Sequence, residues 1–431
     1  MADNRAPFPL ILLITLAWTT AITVLVACGS ADSPRDAVQG LVAEREVRGD
    51  TLVVNNLAGS VWGDTLDMVP EVSIGALDGP EEYLLGQVGG LAVADDGTIL
   101  VVDRQAPALR AYDAQGVHVR TFGAPGGGPG EYESLDGGIA VLNDGRIALR
   151  DPGNGRIMVY DPSGEENDTW RLRGGFRTSR SMYRDQHGIV YTSLLVDPEA
   201  EIGDWVVGLS QIRPDGSPGD TLVPPDPPLG APILQAEAGN SISRTPVPFS
   251  PQVEWTLDRD GHFVWGTTDG YRLHARAEDG RPLQIIRDAE AVNIASGEAA
   301  FERRRVTRNL RTTQPNWSWN GPEIPERKPI WGDVFVSEEG RFWVRRHTEA
   351  KEVENPGYDP DDEDSEPREW VEPVVFDVFR PDGDYLGAVR APEGFYPSVE
   401  PVLRGNRVWA VVRDEFDVPK VVRFRVDIPR A

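Results

Sequence analysis

The chain has 431 residues, a formal net charge of −26, 40% hydrophobic residues, 45 glycines, 36 prolines and one cysteine. The apolar content suffices for a packed core and excludes wholesale disorder. One cysteine excludes a disulfide scaffold or a cysteine-rich metal centre, and the negative charge argues against a nucleic-acid groove. Glycine and proline together reach about 19% of the chain against roughly 12% on average, which favours short strands and turns over long helices.

The N-terminus reads as an address. A polar start with Arg5 precedes an apolar run over residues 10–27, and Cys28-Gly29-Ser30 follow it. That layout is a secretory signal, or an uncleaved anchor at the lower limit of length. Leu25-Val26-Ala27-Cys28 resembles a bacterial lipobox. The resemblance implies that residues 1–27 are a lipoprotein signal peptide and that Cys28 becomes an acylated N-terminus, the chain's link to the membrane. Gly29 in the next position implies release from the inner membrane. Residues 28–50 are then a flexible tether, and the expected location is the cell envelope, in the outer membrane facing the periplasm or the cell surface.

Beyond the tether the chain repeats itself. Gly89-Gly90-Leu91-Ala92-Val93-Ala94-Asp95-Asp96-Gly97 recurs 48 residues later, without a gap, as Gly137-Gly138-Ile139-Ala140-Val141-Leu142-Asn143-Asp144-Gly145. The same offset pairs Asp103 with Asp151 and Tyr112-Asp113 with Tyr160-Asp161. One unit is therefore four strands joined by tight turns, of which Asp-Gly is the strongest hairpin signal. Four antiparallel strands in such a unit make a propeller blade. Looser units open at His187-Gly188, Asp260-Gly261, Glu339-Gly340 and Gly405-Asn406. The spacing predicts an all-β fold over residues 51–431: a six-bladed β-propeller of four-stranded antiparallel blades with one short helical insertion. The sixth unit lacks an outer strand. Leu52-Val53-Val54 or Val61-Trp62 is expected to supply it, because an open ring leaves two unpaired sheet edges.

Asp151-Pro152-Gly153-Asn154-Gly155-Arg156-Ile157 resembles the signature of the NHL repeat, Asp-x-x-Asn-x-Arg-Ile. Gly126-Gly127-Gly128-Pro129-Gly130-Glu131-Tyr132 is similar to the interblade linker of bacterial six-bladed propellers of this kind. The first unit lacks the corresponding Asn and Arg. The placement of Asp103, Asp151, Asn154 and Arg156, with Arg150, implies structural ion pairs and turn hydrogen bonds.

Three insertions interrupt the units, and loops are where propellers carry function. Residues 224–251 are proline-rich and read as an extended loop. Residues 288–329 hold a helix with Ser296 as N-cap, Glu298 in the first turn and Phe301, Val306 and Leu310 as its apolar stripe. Its Arg303, Arg304, Arg305, Arg308 and Arg311 form a basic island, either paired locally or open to an anionic partner. Trp317, Trp319 and Trp331 either line a ligand mouth or cover a blade edge. Residues 347–373 contain an acidic run over 359–366 that lacks the glycine and the final glutamate of an EF-hand loop.

No nucleophile elbow, zinc helix or phosphate loop is present. The five histidines, His118, His187, His262, His274 and His347, fall outside the innermost strands, which speaks against a three-histidine zinc centre. Ring symmetry instead gathers Ser181, Glu254, Asp333 and Glu400 at one end of the central channel, seven or so residues ahead of each first turn. These form a candidate ligand or metal site, with calcium as the cation that oxygen ligands prefer. The expectation is a monomeric, extracytoplasmic binding module for a protein, peptide or glycan. The alternative is a calcium-dependent hydrolase of the lactonase or esterase kind, an activity that the resemblance to propeller enzymes implies.

Overall fold

The computed structural model describes residues 40–171, 181–197, 199–200, 205–239, 241–362 and 365–429. The signal segment, Cys28 and part of the acidic run over 359–366 lie outside them.

Six blades of four strands each follow one another around a ring; three are separate four-stranded sheets, the fourth is extended to six strands, and the fifth and sixth are joined into one sheet of eight. The first runs Val88–Val93, Ile99–Asp103, Ala108–Tyr112 and His118–Phe122. The second runs Ile139–Val141, Ile147–Asp151, Arg156–Tyr160 and Glu166–Trp170. The third comprises Tyr183–Arg184, Val190–Leu195, Val207–Ile212 and Pro218–Leu222. The fourth comprises Val253–Leu257, Phe263–Thr267, Arg272–Arg276 and Pro282–Arg287. The fifth is built from Trp331–Val336, Phe342–Arg346, Val375–Phe379 and Tyr385–Arg390. The turn glycines Gly97 and Gly145 sit at φ 89° and 83°, a left-handed conformation that explains why glycine recurs there.

The sixth blade, Val402–Arg404, Arg407–Arg413 and Pro419–Val426, is completed by an N-terminal strand, but neither expected segment supplies it. Leu66–Ile74 pairs antiparallel with Pro419–Val426, placing Met68 opposite Val426 and Ile74 opposite Val421. Leu52-Val53-Val54 lies instead in Thr51–Ala58, which adds in parallel to the outer strand of blade four. The amides of Val61 and Trp62 bond to the carbonyls of Tyr385 and Leu386 on blade five. One N-terminal segment therefore borders three successive outer strands. The continuous apolar runs in it mark burial, which three different edges provide equally. The stretch read as tether up to Asp50 also contains a strand, Val42–Arg48, that pairs with Thr51–Ala58. It is mostly exposed, so backbone pairing rather than an apolar pattern places it.

Cores lie between blades, as stacked sheets require. Leu100, Val102 and Leu109 of blade one pack with Ile147, Leu149 and Met158 of blade two. Phe335, Phe376 and Val389 of blade five pack with Val408, Val422 and Phe424 of blade six. Arg404 on blade six donates to the carbonyls of Val93 and Ala94 on blade one, joining the ends of the ring.

The insertions are more ordered than a loop reading implies. The first holds the hairpin Ile233–Ala238 and Ser241–Pro246. The third holds the hairpin Lys351–Glu354 and Arg368–Val371. The helix runs Ser296–Thr313 with Ala295, not Ser296, at the N-cap; Glu298 closes the end by accepting the Ala295 N–H at 3.4 Å. Val306, Leu310 and Trp317 pack against Leu234 and Val247 of the first insertion, and the Trp317 indole donates to the Gln235 carbonyl at 2.8 Å. Trp317 is thus a core residue; Trp331 is equally buried, packs with blades four and five, and borders a small pocket there. The basic island is neutralised along much of its length: Arg303 pairs with Glu323, Arg304 with Glu366, and Arg305 with Glu302.

Candidate functional site

The repeat motif has a structural role in the present geometry. Asp103, buried, accepts from the amides of Gly86, Gln87, Gln105 and Ala106 and from Arg110 Nη1. Burial pushes its carboxyl up, but the amides and Arg110 outweigh burial and hold it below the usual range. Asp151 accepts from the amides of Glu133 and Ser134, with Asn154 at 2.6 Å and Arg156 at 3.8 Å. Arg156 and Asn154 also donate to carbonyls of the glycine-rich linker. In blade one, Arg110 stands two residues past the register of Arg156, on the same face of the strand, and takes over its partner. Arg150 bridges Asp136 at 2.8 Å and Thr192 of blade three at 2.9 Å.

The chemistry sits at the axis. All six innermost strands line one cavity of about 1060 Å³. Ser181, Glu254, Asp333 and Glu400 line it together: Ser181 and Glu400 stand two residues ahead of their strands, and Glu254 and Asp333 are the second and third residues of theirs. Seven carboxylates and three arginines, Arg104, Arg184 and Arg259, share this lining. Trp255, Tyr183 and Phe335 add apolar surface to it.

A smaller pocket of about 180 Å³ opens between blades four and five and shares Glu254 and Asp333 with the channel. Here the three insertions meet at their roots. Phe249, Ser250 and Gln252 come from the end of the first; Pro329 comes from the end of the second, and His347 from the start of the third. Phe249 holds a left-handed backbone at φ 60°, a conformation costly for a non-glycine residue and concentrated at ligand clamps and active sites.

An ion network supports the pocket. Lys328, fully buried, lies 2.6 Å from Glu298 and 3.0 Å from Glu372, and donates to the Thr348 carbonyl. Glu372 also takes the Thr348 amide and both its oxygens lie 3.0 to 3.1 Å from His347 Nδ1. Burial pushes the Glu372 carboxyl up, but His347, Lys328 and the Thr348 amide outweigh it and hold the group at about 2. An ionised carboxylate only accepts, so His347 Nδ1 carries the proton of this hydrogen bond. Arg345 Nε donates to Asp333. Burial alone would lower the pKa of Arg345; Asp333, with Glu372 and Glu254 behind it, raises it instead.

Of the seven channel carboxylates sequence reasoning finds Glu254, Asp333 and Glu400, and it misses the network of Lys328, Arg345, His347 and Glu372. Their one legible signal is Lys328, one of only three lysines against forty arginines. The rest lie on a second strand or beside an insertion, where ring symmetry gives no guidance. Among the described residues one group is spaced to hold a metal ion: Asp258, Asp260 and His262. Asp258 there accepts the amides of Asp260 and His262 at 2.9 Å each, which is the ordinary hydrogen bonding of the turn.

A family model described as a 6-bladed beta-propeller, DUF5128, matches residues 50–192. No curated protein matches the chain. Among solved structures, a member of the DUF4221 family from Bacteroides vulgatus is similar with a TM-score of 0.51 at 11% identity, over 85% of this chain and 99% of that one. A virginiamycin B lyase from Staphylococcus aureus matches with a TM-score of 0.37 at 12% identity, over 78% and 94%. A streptogramin B lyase matches with a TM-score of 0.40 at 12% identity, over 85% and 100%. With six blades around one channel, the chain is a six-bladed β-propeller.

Proposed function

We propose that the protein is an extracytoplasmic binding module, anchored by a lipid on Cys28, that takes a polar ligand such as a glycan or a peptide segment into its central channel. The observation that carries this reading is the cavity of about 1060 Å³ to which all six blades contribute charged or polar side chains. Mixed carboxylates and guanidinium groups beside aromatic rings suit a ligand rich in hydroxyl and amide groups. Arg345 supplies a counter-charge beside Glu254 and Asp333, so a calcium ion at those carboxylates would compete with a guanidinium. That supports the polar-ligand reading over the calcium-dependent hydrolase.

The experiment is a binding screen of the isolated protein on glycan and peptide arrays, repeated with Glu254→Gln and with Ser181→Trp, which narrows the channel. A bound class whose affinity falls at least tenfold in both variants is the expected result. Binding that survives both substitutions would remove the channel from the function. The calcium reading returns if the ion, against chelator, raises the melting temperature and Glu254→Gln abolishes the shift. For the anchor, intact-mass measurement of Cys28→Ser is expected to show an uncut, unlipidated precursor; normal maturation would refute it.

A further inference from the structure

We propose that the turn end of the channel, on the side of blades two to four, is an oxyanion subsite where Arg184 and Arg259 take a carboxylate, sulfate or phosphate group of the channel ligand. This rests on the channel being the ligand site, and it adds the charge of the ligand and the residues that read it.

The first turns of the blades surround this end of the channel, and equal positions in five of them read Asp95, Asn143, Gln186, Arg259 and Glu338. The ring of turns is divided electrically. On the side of blades five, six and one, Arg404 pairs with Glu338 and lies 3.8 Å from Asp95, so two carboxylates attend one guanidinium. On the side of blades two to four, Arg184 donates to the Asn143 side-chain carbonyl, and Arg259 donates to that of Gln186 at 2.7 Å. Asn143 in turn donates to the Gln186 backbone carbonyl at 3.1 Å, and the Gln186 amide donates to the Arg259 carbonyl at 2.7 Å. Three turns are thereby tied together around the two arginines. Neutral amides orient these guanidinium groups without neutralising them, and among the described residues neither is paired with a carboxylate.

The carboxylates of these turns are already committed. Asp185 accepts the amides of His187 and Ile189 and the Tyr191 hydroxyl, each at 2.9 Å. Asp258 accepts amides of its own turn, and Asp260 takes the Gln186 side-chain amide. Arg184, Gln186 and Arg259 all line the cavity, so their positive charge is open to the channel in a chain of net charge −26. Like charges held at one mouth repel each other, and an oxyanion received there relieves that repulsion. The fork of a guanidinium matches the paired oxygens of such a group, and its charged hydrogen bonds are roughly twice as strong as those to a neutral oxygen.

The test is titration calorimetry of the isolated protein at low ionic strength with two pairs of probes. Trigalacturonate is set against maltotriose, and triglutamate against trialanine, both peptides blocked at their ends. Arg184→Gln and Arg259→Gln each remove one charge from the mouth; Arg390→Gln removes the same charge from the exposed outer strand of blade five. In the expected result an anionic probe binds more tightly than its neutral counterpart. Its affinity falls about tenfold or more in each mouth variant and holds in Arg390→Gln, with unchanged far-ultraviolet dichroism throughout. The pair that responds identifies whether a saccharide or a peptide carries the anion. Anionic binding that survives both mouth variants, or falls equally in Arg390→Gln, would overturn the subsite; its loss in Ser181→Trp would still leave the channel standing. A neutral probe bound as tightly as its anionic counterpart would also overturn the subsite while the channel reading survives. No binding of any of the four would overturn both.

Discussion

Blades one and two and blades four and five are made from the same four-stranded unit, yet they spend their buried charges differently. In the first pair, Asp103 and Asp151 are turned inward on backbone amides and one arginine each, and each group answers a need of the fold itself. In the second pair, Lys328, Glu298, Glu372 and His347 form a network that satisfies itself but ends on a pocket. Repeated residues mark what every blade needs; buried charges that occur once mark where the molecule departs from its scaffold. That contrast sets the pocket between blades four and five apart from the scaffold.

The largest effect bears on the ring that both regions share. Replacing residues 66–74 with a glycine-serine linker exposes the edge of blade six and the apolar surface that Met68 and Ile74 cover. Cooperative unfolding is expected to disappear and limited proteolysis to proceed throughout; an unchanged melting curve would mean that this strand does not close the propeller.

Next come single buried charges, and here the two regions separate. Asp103→Ala leaves Arg110 and several amides without a partner and should cost about 3–5 kcal/mol, read as a lower midpoint in denaturant for the whole domain. Lys328→Met costs a similar amount, but the loss should appear as faster hydrogen exchange confined to the helix Ser296–Thr313 and the hairpin packed on it. If Lys328→Met lowers global stability as Asp103→Ala does, the distinction between scaffold and site fails.

Acid sharpens the same contrast. Glu372 is held at about 2, below the usual glutamate value, so its contribution is present above about pH 4.5 and is lost as pH falls toward 2. The shift amounts to on the order of 3 kcal/mol. Glu372→Gln should therefore flatten the acid limb of the stability curve between pH 4.5 and 2, measured by urea unfolding; a slope equal to that of wild type would show that the carboxylate is not paired.

The smallest expected effect is on stability in Gly332→Ala. A β-carbon there would fall against Arg345 Nη2 and 3.0 Å from its Cζ, so the guanidinium that Asp333 holds has to shift, and the stability loss in urea unfolding should be about 1–2 kcal/mol. A large loss of stability would place Gly332 in the scaffold rather than in the pocket.

Much of the fold is legible in the chain because a strand–turn–strand unit is a local object. Period-two apolar alternation and Asp-Gly turns set each hairpin, and a fixed offset identifies the blade. The channel carboxylates are legible for the same reason: a ring maps equal positions in each unit to one axis, which is how Ser181, Glu254, Asp333 and Glu400 meet. The insertions are less so. The hairpins at 233–246 and 351–371 read as loops because they are short and polar, and their pairing is decided by backbone bonds more than by apolar faces. Ala295 rather than Ser296 caps the helix because Glu298 satisfies the terminal amide from within.

The blade, the number of blades and four of the axis residues, Ser181, Glu254, Asp333 and Glu400, are legible in the chain because they follow from local hydrogen bonding and a repeated spacing. Tertiary structure decided which N-terminal strand closes the ring, since Leu52-Val53-Val54, Val61-Trp62 and Leu66–Ile74 all find an edge and only packing assigns each one. It also decided that Lys328, Glu298, Glu372, His347 and Arg345 meet. A buried charge is stable only beside its counter-charge, and those partners come from separate insertions and strands, so their encounter depends on packing that no local pattern encodes.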